Sequence, residues 1–307
     1  MMKKTIKKTP IPIAGLMLGL AGLGNLIKTY GNQYRSIAGI LSSIIALILL
    51  GRFIIDHRKC ISELKNPIIA SVALTFPMGI MILSTYLIKF SYQLALYTWY
   101  TGIIMHAIFI LLFSLRFIKN FDIKKVFPSY FIVYVGIVVG SVTAPVFDNL
   151  VLGHSLFYFG FISYMVLLPI VIYRVLKIGE IKKPALPTIT IFTAPAGLCL
   201  AGYMSSFPEK NLLLLGWLTL LTIISITAVI LYLPKMLSVG FYPSFSAFTF
   251  PFVITAIGLK MSNNYFINKF NFSLLNYPAQ IIEILSILLV SFVLFKYSAF
   301  LFSNQKT

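Results

Sequence analysis

Residues 248–260 read FTFPFVITAIGLK, and the triplet Thr249-Phe250-Pro251 stands in the middle of an apolar run. The same triplet occupies 75–77, and TAP occurs at 143–145 and again at 193–195. Proline removes a backbone donor and pushes its ring against the carbonyl four residues earlier, here those of Ala73, Ser141, Ile191 and Ala247. In lipid a freed carbonyl is expensive. Irregular backbone at membrane depth persists only where protein or a watery cavity surrounds it, so the triplets mark segments that face inward.

The rest of the chain supplies the membrane context. Of 307 residues, 59% are hydrophobic and 10% charged, and the mean hydropathy is +0.95, far outside the range of soluble domains. A membrane span needs about 20 mainly apolar residues. Apolar runs bounded by charges or turn residues predict ten: 10–29, 34–55, 67–88, 92–118, 126–147, 152–176, 187–206, 211–234, 240–260 and 277–302. The expected fold is therefore an all-α integral membrane protein, with 1–307 a single transmembrane channel or transporter domain. The longest hydrophilic stretch, MSNNYFINKFNFSLLNY at 261–277, is read as an external loop. The first run follows Lys3, Lys4, Lys7 and Lys8 but has no A-x-A cleavage site, so it is read as a retained helix.

The formal charge of +18 forms no continuous stripe of the kind that tracks nucleic acid, and no nucleic-acid partner is expected. It is a topology signal instead. The N-terminal lysines, the loops after spans two, four and six, and Lys235, Lys296 and Lys306 put most basic residues on one side. Lys28, Arg35, Lys89, Lys210, Lys260 and Lys269 fall on the other. By the positive-inside rule both termini are cytoplasmic, in a multi-pass protein of the cell membrane.

The triplets fall in spans three, five, seven and nine, and span one opens on TPIPIAGL, with Pro12 near its start. An odd helix carrying proline and small residues, followed by an even helix without the triplet, is the repeating unit. Five such tandem hairpins, pointing the same way, place the odd helices in an inner ring around a central pore and the even helices in an outer ring. Small residues agree, since Gly15, Gly19 and Gly22 share one face of span one, as do Ala194, Gly197 and Ala201 of span seven. Pro12, Pro77, Pro145, Pro195 and Pro251 are the expected kink positions.

Chemistry is sparse. Cys60 and Cys199 stand alone, the GLAGLG at 19–24 lies within a span with no preceding strand, and no nucleophile, paired-carboxylate or metal-ligand constellation is present. Neither an enzyme, a metal nor a cofactor is expected. Glu283, in span ten, and His106, in span four, are the candidate coupling groups, each with a plain structural reading beside it. An interior without a carboxylate ring suits anions better than cations. Thr75, Thr143, Thr193 and Thr249, with Ala144 and Ala194, are candidate pore-lining residues; the threonines either face the path or bond back to their own helices. Phe76 and Phe250 are the large side chains at the triplet centres, suited to plugging a narrow pore.

Four stretches, TPIPIAGLMLGLAGLGNL at 9–26, TFPMGIMILSTYL at 75–87, FTAPAGLCLAGY at 192–203 and FTFPFVITAIGLK at 248–260, resemble the tellurite-resistance/dicarboxylate transporter family. That family includes bacterial TehA proteins, yeast malate and sulfite permeases and the slow anion channels of plant guard cells. The resemblance implies a homotrimer of independent pores, each occluded by a phenylalanine of the ninth helix and passing small monovalent anions such as chloride and nitrate. The gating residue then corresponds to Phe250, with Phe76 second. The alternative is a secondary transporter or exporter of C4-dicarboxylate, sulfite or tellurite-related anions, with or without proton coupling.

Overall fold

The computed structural model describes residues 2–119, 121–179 and 181–303. Lys306 and the side chain of Lys4, both used in the charge count, lie outside the described residues. Among the described residues the chain is helical throughout, with no strand. In chain order the apolar helices are α1 (Ile11–Tyr30), α2 (Asn32–Ile55), α3 (Pro67–Leu87), α4 (Tyr92–Ile118), α5 (Val138–Phe147), α6 (Leu150–Ile178), α7 (Lys183–Ser206), α8 (Leu212–Leu237), α9 (Pro243–Phe270) and α10 (Asn276–Phe302).

All but α5 are long and apolar enough to cross a membrane, which makes nine among the described residues. The sequence predicts an uninterrupted tenth span at 126–147. The structure instead breaks that stretch into a short helix Tyr130–Tyr134, a turn at 135–137 and α5, whose last residues are a 3-10 turn. Gly136 lies in the turn, where a Cβ would come within 2.7 Å of Met78 Sδ. Its backbone is satisfied by local bonds, such as Gly136 N–H to Ile132 O at 3.2 Å and Val138 N–H to Val135 O at 3.0 Å, and by His106 Nε2, 3.0 Å from Val133 O.

The odd helices form a closed inner ring, in which α1 packs on α3, α3 on α5, α5 on α7, α7 on α9 and α9 back on α1. Each even helix packs on the odd helix of its own hairpin, completing five tandem units. Burial separates the rings. Between 67 and 83% of the apolar stretch is buried in the long odd helices, against 22 to 33% in the even ones. Ile40, Ile44 and Leu47 of α2 and Ile104, Ile108 and Leu111 of α4 are exposed apolar side chains, as expected of a surface solvated by lipid tails.

Within the inner ring the triplets mark where backbone geometry changes. Residues 183–192 and 243–248 are 3-10 turns, and α-geometry begins at Thr193 and Phe250. In α3 the helix is interrupted at Leu74 and restarts at Thr75, and in α1 it passes from 3-10 at Ile11–Ile13 to α at Ala14. Pro77, Pro195 and Pro251 thus fall in a first helical turn, where a missing N–H costs little. Pro145 differs: it lies at the far end of α5, and the Ser141 carbonyl four residues before it accepts a hydrogen bond from Ser206 Oγ at 2.6 Å.

Glycines permit the closest approaches between odd helices. A Cβ on Gly197 of α7 would lie 2.8 Å from Thr255 Cα of α9, and backbone cannot give way as a flexible side chain would. Gly197→Ala is therefore expected to cost about 1–3 kcal/mol and to lower the melting temperature of the detergent-purified protein. Gly216→Ala, on the lipid-facing side of α8 with no atom within 4 Å of its would-be Cβ, should leave it unchanged.

Candidate functional site

The inner ring encloses a cavity of about 440 Å³, to which all five odd segments contribute. Pro10, Pro12, Gly15 and Leu18 come from the first segment, and Ile68, Ile69, Val72, Thr75 and Met78 from α3. Phe131, Ile132, Val135 and Gly136 precede α5. Thr188, Ile191, Ala194, Pro195 and Leu198 line it from α7, and Ser246, Ala247, Phe250 and Pro251 from α9. At one end the lining reaches Glu63, Asn66, Pro184 and Ser244, in or beside the interhelical connections, so the cavity opens there. At the other end the last lining residues along their segments are Leu18, Met78, Gly136, Leu198 and Phe250 with Pro251.

Phe250 is 4% exposed and stands where α9 begins, after non-helical backbone at Thr249 (φ −95°, ψ −87°). Its ring lies over Gly22 of α1, whose would-be Cβ would be 3.4 Å from Phe250 Cδ2 and Cε2. Gly19, one turn earlier, would place a Cβ 2.5 Å from Thr249 Cβ. The small-residue face of α1 is thus the seat on which the start of α9 and its phenylalanine rest. Phe76 is half-buried and absent from the cavity wall, because α3 turns Val72, Thr75 and Met78 inward and leaves its neighbour about 100° away.

The threonine hydroxyls are all committed to backbone. Thr75 Oγ1 donates to Val72 O at 2.7 Å, and Thr249 Oγ1 lies 2.8 Å from Gly15 O and 2.7 Å from Ser246 O. Thr193 Oγ1 donates to Pro251 O at 3.1 Å and lies 2.9 Å from Thr255 Oγ1, tying α7 to α9. Thr143 Oγ1 donates to Val139 O at 2.8 Å while accepting from Trp99 Nε1 at 2.8 Å. Of the residues singled out in the sequence, Thr75, Ala194, Phe250, Pro12, Pro195 and Pro251 line the cavity. Thr143, Ala144, Thr193, Thr249, Phe76, Pro77 and Pro145 do not.

The two candidate coupling groups also lie off the wall. Both carboxylate oxygens of Glu283, 3% exposed between α9 and α10, accept from Lys260 Nζ, at 2.8 and 2.9 Å. His106 of α4 is fully buried with Nε2 3.0 Å from Val133 O, where it supports the irregular backbone before α5.

Sequence reasoning passed over the contribution of residues 131–136, because TAP drew attention to the far end of that segment. The usable signal was Gly136, the first glycine in the apolar run after Pro128. Glu63, in a polar connection, also joins the wall unannounced.

The family model described as SLAC1, voltage-dependent anion channel, matches residues 9–297. An uncharacterized transporter of Methanocaldococcus jannaschii is 24% identical over 272 residues, which cover 78% of this chain and 76% of that protein. The match takes in every odd segment that lines the cavity, and it agrees with the resemblance to tellurite-resistance/dicarboxylate transporters. This multi-pass membrane protein belongs to the SLAC1 voltage-dependent anion channel family, a family of anion channels and transporters.

Proposed function

We propose that the chain is an anion channel that passes small monovalent anions of the chloride and nitrate class along the axis of the inner ring, with Phe250 as its gate. The observation that carries this reading is the position of Phe250, a buried ring at the deep end of a ring-enclosed cavity. An apolar plug at that point blocks ions sterically and by dewetting.

The electrostatics favour anions without a fixed positive charge in the wall. α-Helical geometry starts at Ala14, Thr75, Thr193 and Phe250, at or near the cavity in four of the five odd segments. At Ala14 and Thr193 the N–H donates back into the preceding 3-10 turn, so these helix starts contribute a weak positive potential rather than free donors. Wall hydroxyls such as Thr75, Thr188 and Ser246 add polarity but donate to carbonyls of their own segments, so they hold an anion weakly. Weak binding suits conduction, in which an ion must leave as readily as it arrives.

On the charge distribution, both termini lie in the cytoplasm and the protein in the cell membrane, so the cavity opens to the cytoplasm. The whole chain acts as one transmembrane unit. The exposed faces of the even helices meet lipid and, as in the family it resembles, neighbouring copies in a homotrimer. Proton-coupled transport of dicarboxylate, sulfite or tellurite-related anions has less support, because neither Glu283 nor His106 lines the cavity.

In planar bilayers, Phe250→Ala is expected to raise anion conductance on the order of tenfold, while Phe76→Ala changes it little. Unchanged currents in Phe250→Ala would sink the gate. Glu283→Gln should leave anion flux independent of a proton gradient while lowering thermal stability by about 1–3 kcal/mol, because Lys260 loses its carboxylate. Flux that requires a proton gradient and is lost in Glu283→Gln would favour the transporter.

A further inference from the structure

Among the described residues, Glu63 is the one charged side chain in the cavity wall, and it stands at the open end. A bare carboxylate at the mouth of an anion path would repel the permeant ion. It is not bare. Glu63 closes the short helix His57–Glu63, and its Oε1 accepts from Arg52 Nη2 at 2.5 Å.

Arg52 belongs to the last turn of α2 and is 2% exposed, whereas the Glu63 side chain keeps 24% exposure. The guanidinium is therefore the hidden partner and the carboxylate the one in contact with the path. Arg52 Nε and Nη1 are buried and make no hydrogen bond. Burying a guanidinium with two nitrogens unpartnered is costly, and one carboxylate bond compensates only part of that cost. A pair retained for stability alone would satisfy more of those donors. The arrangement makes sense as a charge setting, in which a buried cation cancels an anion at the mouth while itself keeping unused donors.

We propose that the Arg52–Glu63 pair sets the electrostatic potential at the cavity mouth, with Glu63 as the residue that limits anion access and Arg52 as the positioning residue that cancels it. The proposal rests on the anion-path reading above. Removing the Glu63 charge leaves an uncompensated cation beside the path and speeds anion access. Removing the Arg52 charge leaves an uncompensated anion and slows it. Replacing both removes the pair without changing the net charge at the mouth.

The test is chloride release from liposomes carrying the purified protein with Phe250→Ala as the common background, wild type here meaning Arg52 and Glu63 both intact. Valinomycin and potassium provide the counter-ion path, at about 10 mM and about 1 M salt, where the Debye length falls from about 30 Å to about 3 Å. At low salt Glu63→Gln should release chloride about two- to threefold faster than wild type, and Arg52→Gln more slowly by a similar factor. The double variant and Arg52→Lys should lie near wild type. At high salt the differences should vanish, whereas damage to folding would persist. Because Arg52 is buried, Glu63→Gln keeps the test decisive even if Arg52→Gln does not assemble. Glu63→Gln no faster than wild type, or differences that survive at high salt, would overturn the proposal while leaving the anion path intact. Phe250→Ala liposomes no faster than empty ones would remove the anion path and this proposal with it.

Discussion

Backbone groups that leave helical geometry inside a bilayer must find partners within the protein, and most of this structure follows from that requirement. The inner ring is irregular by sequence: 3-10 turns at 183–192 and 243–248, a break at Leu74 and an interrupted stretch before α5. Such backbone is tolerable only behind a shield of regular helices. The even helices provide it, presenting aliphatic side chains outward and packing on their own hairpin partners. Side chains then complete the satisfaction, with Ser206 on the Ser141 carbonyl, Thr249 on that of Gly15 and His106 on that of Val133.

The same irregularity generates the site. A regular helix exposes its positive end only at its start, so restarting α-geometry within the span brings helix starts to membrane depth. Ala14, Thr75, Thr193 and Phe250 mark those starts, and the cavity lies at their level. Among the described residues the cavity wall carries one charged side chain, Glu63, already paired. Glu283 would have been a second, but Lys260 holds it between α9 and α10, away from the cavity.

Much of this was legible in the sequence. Proline within apolar runs can be read as inward-facing backbone, and its recurrence in odd segments as a hairpin repeat, because both follow from hydrogen-bond chemistry without any contact information. Phe250 was singled out over Phe76 by the family resemblance, not by hydrogen-bond chemistry. What failed was depth along the segment. Pro145 lies at the far end of α5, whereas the residues of that segment that reach the cavity, Phe131 to Gly136, carry no triplet. Letters alone do not tell how far a triplet is from the start of its span when the span itself is interrupted. The threonines were undecidable for a related reason: a hydroxyl may choose a carbonyl of its own turn or of a neighbour, and Thr75 took the first course, Thr193 the second and Thr249 both. Glu63 needed the fold, since only packing brings that connection to the mouth.

The central claim is that anions travel through the cavity enclosed by the odd helices. Cysteine scanning tests it most directly, because both native cysteines are buried: Cys199 lies in the core of α7, and burial raises the pKa of Cys60 and keeps its thiol protonated. In a Phe250→Ala background, Ala194→Cys on the cavity wall should react with an anionic thiol reagent and lose most of its anion current. Ala144→Cys, off the wall, should not. Loss of current in Ala144→Cys with Ala194→Cys untouched would contradict the account and place the path elsewhere.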